Sequence, residues 1–137
     1  MVKFYDSVDD SLLKFAVIFA MYDGKYIFCK HKQRDTFEIP GGHREENETI
    51  DDPAKRELYE ETGAVDFEIE PVGVYSVTEK DNFNGAETFG MLYYANIRSF
   101  ETELHSEIEK IIITDKVPEN WTYPTIQPDI FQYVLNL

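Results

Sequence analysis

A set of charged side chains between residues 42 and 64 has the types and spacing needed to bind a divalent cation. Glu57, Glu60 and Glu61 occupy positions i, i+3 and i+4, which place three carboxylates on one face of a helix. Carboxylates this close repel one another, and a hard cation such as Mg²⁺ stabilises a cluster of oxygen ligands. Arg56 is adjacent and can pair with a carboxylate, which would hold that carboxylate in one orientation.

Two glycines precede this region. Gly41 and Gly42 carry no side chain, so the backbone there can approach a bound ion closely and offer a carbonyl oxygen. Taken alone, three glutamates on a helix in an acidic protein are more often a solvated face than a metal site. The choice between these readings depends on the wider pattern around them.

The composition is that of one folded domain covering residues 1–137. Hydrophobic residues make up 42% of the chain and aromatic residues 15%, which is enough to form a core. The formal net charge of -14 repels phosphate backbones, so we expect no nucleic-acid polymer as partner.

Cys29 is the only cysteine, so no disulfide can form within the chain. The N-terminal segment has an early acidic cluster and does not resemble a signal peptide. The longest strongly apolar run, residues 15–22, is too short to span a bilayer. These features favour a cytoplasmic protein without a membrane partner.

The hydrophobic pattern predicts the elements that must position the charged residues. Residues 15–22 and 25–32 read as strands joined at Asp23-Gly24, a strong hairpin signal, and residues 36–39 as a further short strand. Residues 52–62 read as a helix with Asp51 or Asp52 as N-cap and Pro53 at its first position. Gly63 ends that helix.

The second half of the chain predicts more sheet and one further helix. The strands are residues 66–79, with a break at Pro71, residues 88–97 and residues 108–114, and residues 81–85 form a turn. Residues 126–137 read as a terminal helix. Strands around one long helix, with a second helix at the end, predict an α+β (mixed α/β) domain.

The stretch from Gly42 to Ala64 resembles the signature of the Nudix hydrolase family. That signature is Gly, five residues, Glu, seven residues, Arg-Glu, an aliphatic residue, any residue, Glu-Glu, any residue, Gly and an aliphatic or small residue. The matching positions here are Gly42, Glu48, Arg56, Glu57, Leu58, Glu60, Glu61, Gly63 and Ala64. The resemblance implies an α/β/α sandwich with a mixed β-sheet between helices, and it overturns the reading as a solvated face.

The same resemblance implies roles for the acidic residues. Glu57, Glu60 and Glu61 match positions that bind Mg²⁺, for which Mn²⁺ can substitute, and Glu57 is either a ligand or the general base. Gly41, in preference to Gly42, matches a carbonyl ligand of the metal.

It also implies supporting groups. Arg56 matches the residue that orients a glutamate, and Glu48 matches the outer, supporting glutamate. The family often adds a catalytic glutamate downstream, for which Glu107 is our choice among four candidates: Glu101, Glu103, Glu107 and Glu109.

A basic cluster lies before the glycines. It consists of Lys30, His31, Lys32 and Arg34, and alternate members would point into a cleft and hold substrate phosphates, with Lys30, Lys32 and Arg34 as the candidates. MutT-type relatives have basic residues at the end of this strand, which favours this reading. The alternative is that the cluster serves solubility at a strand edge.

The resemblance to the MutT-type and small YtkD-like enzymes favours hydrolysis of a nucleoside triphosphate, such as 8-oxo-dGTP, to the monophosphate and pyrophosphate. In MutT-type enzymes an asparagine near the C-terminal helix reads the oxidised purine; this chain has no asparagine at that place, and Gln127 is nearby, so 8-oxo-dGTP is one candidate. Other nucleoside diphosphate derivatives, such as ADP-ribose or a dinucleoside polyphosphate, remain open. A nucleotide-binding module without catalysis is a further alternative, and the chain would act as a monomer or homodimer.

Overall fold

The computed structural model describes residues 1–79, 85–101 and 108–137 and contains a mixed sheet, two α-helices and a 3-10 turn. The strands are β1 (Val2–Tyr5), β2 (Leu13–Tyr22), β3 (Lys25–His31), β4 (Gly41–His43), β5 (Ala64–Val77), β6 (Thr88–Phe100) and β7 (Ile108–Thr114). The helices are α1 (Asp51–Thr62) and α2 (Gln127–Leu135), and the 3-10 turn is Asp10–Leu12.

The seven strands form one sheet in the order β1-β5-β6-β2-β3-β7, and β4 pairs with β2. The β2–β6 pair is parallel, whereas the other described pairs are antiparallel. This mixture confirms the predicted sheet type. It also brings the end of β3, the β4 segment and the helix α1 to one region.

The strand β2 shows why helices cover both faces of the sheet. Ala16 and Ile18 point to the side that packs on Ala54 and Leu58 of α1. Val17 and Phe19 point to the opposite side, where α2 packs. Because alternate side chains of a strand face opposite ways, a strand that is apolar at every position from Phe15 to Tyr22 is covered on both faces. The α/β/α arrangement is therefore confirmed.

The two core layers differ in the size of their side chains. The layer beneath α1 contains small residues of the sheet, among them Ala16, Ala20 and Ala95, which let the helix pack close to the strands. The layer beneath α2 is aromatic: the ring of Phe131 lies 4.7 Å from Phe19 and 5.5 Å from Phe28 between centroids. Offset and edge contacts between aromatic rings favour one packing of α2, whose first residue faces the site described below.

The start of α1 differs from the prediction. Ile50 is the N-cap, and Pro53 is the third residue of the helix rather than its first. The Asp52 carboxylate accepts a hydrogen bond from the N–H of Thr49 at 2.9 Å, so it binds the turn before the helix and does not cap a free helical N–H. The predicted end at Gly63 is confirmed.

Two strand predictions also need correction. The strand β5 runs through Pro71 without a break, because a register shift between Pro71 and Gly73 accommodates the missing N–H. Residues 36–39 form isolated bridges, Glu38 with Cys29 and Phe37 with Trp121, because this segment leaves β3 to carry the chain towards β4.

The predicted hairpin between β2 and β3 is confirmed. Asp23 and Gly24 both have positive φ angles, as a two-residue hairpin turn of type I′ requires. The predicted bounds of β7 agree with the structure, and the predicted turn at residues 81–85 lies outside the described residues except for Gly85. Among the described helices, none is long and apolar enough to cross a membrane.

Candidate active site

A cleft of about 960 Å³ opens where β3, β4 and the two helices meet. Charged side chains from β3 and α1 line part of it, and apolar side chains of the core layer beneath α2 line another part. A cavity that joins a few convergent polar groups to an apolar wall is typical of a small-molecule site.

Glu61 is the most buried carboxylate of this cleft, at 6% exposed. One of its oxygens, Oε1, accepts a hydrogen bond of 2.7 Å from the N–H of Gly41. The pKa of the Glu61 carboxyl is raised to about 8, chiefly because the group is buried; the Gly41 N–H lowers this pKa, while the nearby carboxylates of Glu57 and Glu38 add to the rise. A cation in the cleft would stabilise the charged form that burial disfavours.

Glu57 lies one helical turn before Glu61 and is held by Arg56. The Nη1 atom of Arg56 donates a 2.7 Å hydrogen bond to Oε1 of Glu57, while Nε and Nη2 contact both oxygens of Glu48 at 3.3 and 2.9 Å. The hydrogen bonds from the Arg56 guanidinium lower the pKa of Glu48, and so does the hydrogen bond that Glu48 accepts from the N–H of Glu45. By contrast, burial and the charge of Glu60 raise the pKa of Glu57.

Glu38 was not predicted as a site residue, and His31 was predicted only as a member of the basic cluster. Glu38 is 7% exposed, and its Oε1 lies 3.5 Å from Nε2 of His31. The same Nε2 lies 3.4 Å from Oε2 of Glu61. The available signal for Glu38 was an ionisable residue between the apolar Phe37 and Ile39; nothing in the sequence singled out His31 from its basic neighbours.

The predicted residues divide into two groups in the structure. Glu57, Glu61, Arg56, Gly41, Lys32 and Arg34 all line the cleft. Glu60 does not line the cleft, although its charge contributes to the raised pKa of both Glu57 and Glu61. Lys30 does not either, because adjacent residues of a strand point to opposite faces and His31 takes the cleft side.

The predicted downstream glutamates cannot be placed at the cleft. Glu107 and Glu103 lie outside the described residues, as does the side chain of Glu109. Glu101 accepts a 2.9 Å hydrogen bond from the hydroxyl of Tyr59 and is not among the residues that line the cleft.

The apolar wall carries one buried amide. Gln127, the first residue of α2, is 6% exposed, and its Oε1 accepts a 2.7 Å hydrogen bond from the N–H of Ile39. Its Nε2 donates to no described residue, while the side chain lines the cleft beside Phe15 and Tyr75. The fixed carbonyl leaves the amide NH₂ as a hydrogen-bond donor for a ligand.

Gly42 makes room for Glu57. A β-carbon at Gly42 would lie 2.5 Å from Cδ of Glu57, whereas one at Gly41 would lie 2.6 Å from the backbone oxygen of Ala16. A flexible side chain can move away from such a contact, but a paired strand cannot.

We therefore expect Gly42→Ala to displace the Glu57 carboxylate and to lower kcat by about tenfold or more, with little loss of stability. Gly41→Ala should instead destabilise the fold by about 1–3 kcal/mol, because it overpacks the β2–β4 pair. Melting temperature and kcat measured on both variants test this contrast. Equal losses of stability in the two variants would contradict it.

The carboxylates of the cleft fit a hard divalent cation. Carboxylate oxygens of Glu38 and Glu61 and a ring nitrogen of His31 lie within 4.8 Å of one another, and Glu57 lines the same cleft. Buried carboxylates that converge without an equal number of basic partners are stable when a cation neutralises them. Of the glutamates in the sequence motif, Glu61 belongs to this group and Glu57 lines the same cleft.

The sequence profile of the NUDIX domain matches residues 12–125, and the chain belongs to the NUDIX family. Among its relatives is a Bacillus subtilis (strain 168) protein named "Putative 8-oxo-dGTP diphosphatase YtkD". The two are 29% identical over 104 residues, which are 75% of this chain and 63% of that protein. This chain thus spans less than two thirds of the length of that relative.

Solved structures share the fold at low sequence identity. A mutant form of the Bacillus subtilis pyrophosphohydrolase BsRppH superposes with a TM-score of 0.79 at 22% identity, covering 98% of this chain and 89% of that one. The NUDIX domain of Shewanella oneidensis NrtR, complexed with ADP ribose, gives a TM-score of 0.68 at 14% identity over 90% and 86% of the two chains. These likenesses confirm the fold class.

Proposed function

We propose that this protein is a divalent-metal-dependent pyrophosphohydrolase that cleaves a nucleoside triphosphate to the nucleoside monophosphate and pyrophosphate. The observation that carries the proposal is the convergence of Glu38, Glu57 and Glu61 in a cleft that also has an apolar wall. The carboxylates suit the cation that accompanies a polyphosphate, and the wall with Phe15 and Tyr75 suits a planar base. Membership of the NUDIX family supports the reaction class.

Glu61 and the Gly41 carbonyl would hold the metal in this proposal, with Mg²⁺ as the ion and Mn²⁺ as a substitute. When bound, the ion neutralises phosphate charge and polarises the phosphoryl oxygen. Glu60 contributes from the neighbouring position on α1, where its charge adds to the field at Glu57 and Glu61.

Glu57 is the general base in the same proposal. Its carboxylate accepts the proton of the attacking water while the water oxygen bonds to phosphorus and the pyrophosphate leaves. Arg56 fixes the carboxylate through the 2.7 Å hydrogen bond, and Glu48 fixes Arg56. The raised pKa of Glu57 makes it a better proton acceptor than an ordinary exposed glutamate.

The test of the reaction is a panel of nucleotides incubated with the protein and Mg²⁺, with products separated by chromatography. The proposal predicts a monophosphate and pyrophosphate from at least one nucleoside triphosphate. Release of inorganic phosphate and a diphosphate would contradict it. Hydrolysis of ADP-ribose or a dinucleoside polyphosphate, with triphosphates untouched, would move the substrate to that class, and no hydrolysis at all would favour a binding module.

Lys32 and Arg34 line the cleft, and we propose that they hold the substrate phosphates. We expect Lys32→Met or Arg34→Met to raise KM and lower kcat, because charge near the leaving pyrophosphate is lost. Lys30→Met is the matched control, since Lys30 does not line the cleft. If the steady-state kinetics are unchanged in all three variants, the basic cluster does not bind the substrate phosphates and the alternative role in solubility is favoured.

Gln127 offers its NH₂ group to the base, so we expect a preference for a base edge with a carbonyl, as in guanine or 8-oxoguanine. Gln127→Glu keeps the acceptor for the Ile39 N–H but replaces the donor by an acceptor. The ratio of kcat/KM for guanine over adenine nucleotides should fall by about tenfold or more. Gln132→Glu, on the exposed side of the same helix, introduces the same charge and should leave the ratio unchanged.

A further inference from the structure

We infer that His31 is a ligand of a first-row transition metal ion in this cleft, in a site made by His31 Nε2, Glu38 Oε1 and Glu61 Oε2. These three atoms belong to the group that lies within 4.8 Å of one another. The inference rests on the proposed function in one respect, because Glu61 is shared with the proposed Mg²⁺ site. It adds two ligands, His31 and Glu38, that lie outside the Gly42–Ala64 motif.

The three candidate ligand atoms lie close to one another. Gly41 binds Oε1 of Glu61, so Oε2 is the oxygen turned to the imidazole, 3.4 Å from Nε2. Oε1 of Glu38 lies 3.5 Å from the same nitrogen. Bonds of about 2.1 Å at right angles place neighbouring ligand atoms roughly 3 Å apart, so small side-chain rotations would complete the site.

The surroundings keep these carboxylates in place. Glu38 and Glu61 are both buried, which limits the movement of their carboxylates towards solvent. The backbone of Glu38 is also hydrogen-bonded to that of Cys29 on β3. Arg34 contacts Oε1 of Glu38 at 3.5 Å, but its side chain is half-exposed and can yield that position to an ion. His31 is the last residue of β3, a strand that is paired with β7.

The imidazole sets the chemical class of the ion. Mg²⁺ takes oxygen ligands almost exclusively, whereas Co²⁺, Ni²⁺ and Zn²⁺ bind imidazole nitrogen well. Replacing His31 should therefore weaken a transition metal much more than Mg²⁺. If the imidazole is only the ionic partner of the two carboxylates, no metal-dependent signature should appear on it.

Co²⁺ is the probe, because its visible absorption reports binding and its unpaired electrons shift the ring N–H proton of a coordinated histidine. We would titrate Co²⁺ and, by competition, Mg²⁺ into the wild type, His31→Asn, His43→Asn and Glu61→Gln. His43 is the matched control, since it lines the same cleft but forms no ion pair with a described residue. Proton spectra of each cobalt-loaded protein complete the experiment.

We expect one shifted, solvent-exchangeable histidine proton in the wild type and in His43→Asn, and none in His31→Asn. The Co²⁺ affinity should fall at least ~10-fold in His31→Asn, with the Mg²⁺ affinity changed less than ~3-fold. If Glu61→Gln abolishes binding while His31→Asn leaves the Co²⁺ affinity and proton spectrum unchanged, the inference is wrong and the proposed metal site stands. A wild type that binds neither ion would overturn both.

Discussion

Glu61→Gln should reduce kcat by at least ~10²-fold while the protein keeps its fold. Glutamine has nearly the same size and helix propensity, and its side-chain oxygen can still accept the Gly41 N–H. What is lost is a charge buried in the cleft at the proposed metal site, and removing one such electrostatic element costs this much in other enzymes. The measurement is kcat at saturating Mg²⁺ for both proteins.

The matched comparison is Glu60→Gln, which removes a charge from the same turn of α1 without altering a residue that lines the cleft. We expect a smaller loss of kcat in this variant. Equal losses would show that Glu60 turns into the cleft and ligates the metal as strongly as Glu61. Near-wild-type turnover of Glu61→Gln would show that Glu61 is not a metal ligand in the active site.

Glu61→Gln should also change how the stability of the metal-free protein depends on pH. Because the folded state raises the pKa of Glu61 from 4.5 to about 8, the folded protein retains a proton that the unfolded chain releases. The free energy of unfolding of the metal-free wild type should therefore fall as pH rises from about 4.5 to about 8, by up to ~1.4 kcal/mol per pH unit. Denaturant titrations of the chelated protein at several pH values should show this fall, and Glu61→Gln should lack most of it.

Arg56→Lys should be the next most damaging change, with a loss of about 10- to 100-fold in kcat. A lysine ammonium cannot reproduce the fork that binds Glu48 through two nitrogens while a third binds Glu57. The Glu57 carboxylate would lose its fixed orientation, and misplacing a reacting group costs rate steeply. The effect should fall on kcat more than on KM, since Arg56 positions the base.

Arg44→Lys separates this effect from general loss of structure. Arg44 also forms a fork, to Asp10 and to the backbone oxygens of Leu13 and Glu48, but it does not line the cleft. We expect a lower melting temperature in both variants and a large fall of kcat only in Arg56→Lys. A similar fall of kcat in both would mean that the two arginines act through the stability of the loop.

Helical spacing predicted a shared face for Glu57, Glu60 and Glu61. Successive residues of an α-helix are rotated by about 100°, so Glu61 lies about 40° from Glu57, while Glu60 lies about 60° to the other side. Glu57 and Glu61 line the cleft, whereas Glu60, on the other side of Glu57, is not among its lining residues. The spacing i, i+3, i+4 indicates a shared face, but it does not say where on that face the cleft lies.

Residues distant in sequence were harder to predict. His31 and Lys30 are adjacent basic residues, and only the register of β3 decides which one faces the cleft. Glu38 lies in a segment without regular strand structure, and Gln127 reaches the cleft because aromatic packing fixes α2 against the sheet. The family motif supplies the helix and its neighbouring loop, whereas the opposite wall depends on tertiary packing.

The central claim is that the carboxylates of this cleft act on phosphates through a divalent cation. Its most direct test is pyrophosphate release from a nucleoside triphosphate by protein stripped of divalent ions, followed by addition of Mg²⁺ or Mn²⁺. Oxygen ligands favour these hard cations, so the account predicts no release above the blank in excess chelator and full recovery when either ion is restored. Undiminished turnover in excess chelator would contradict it.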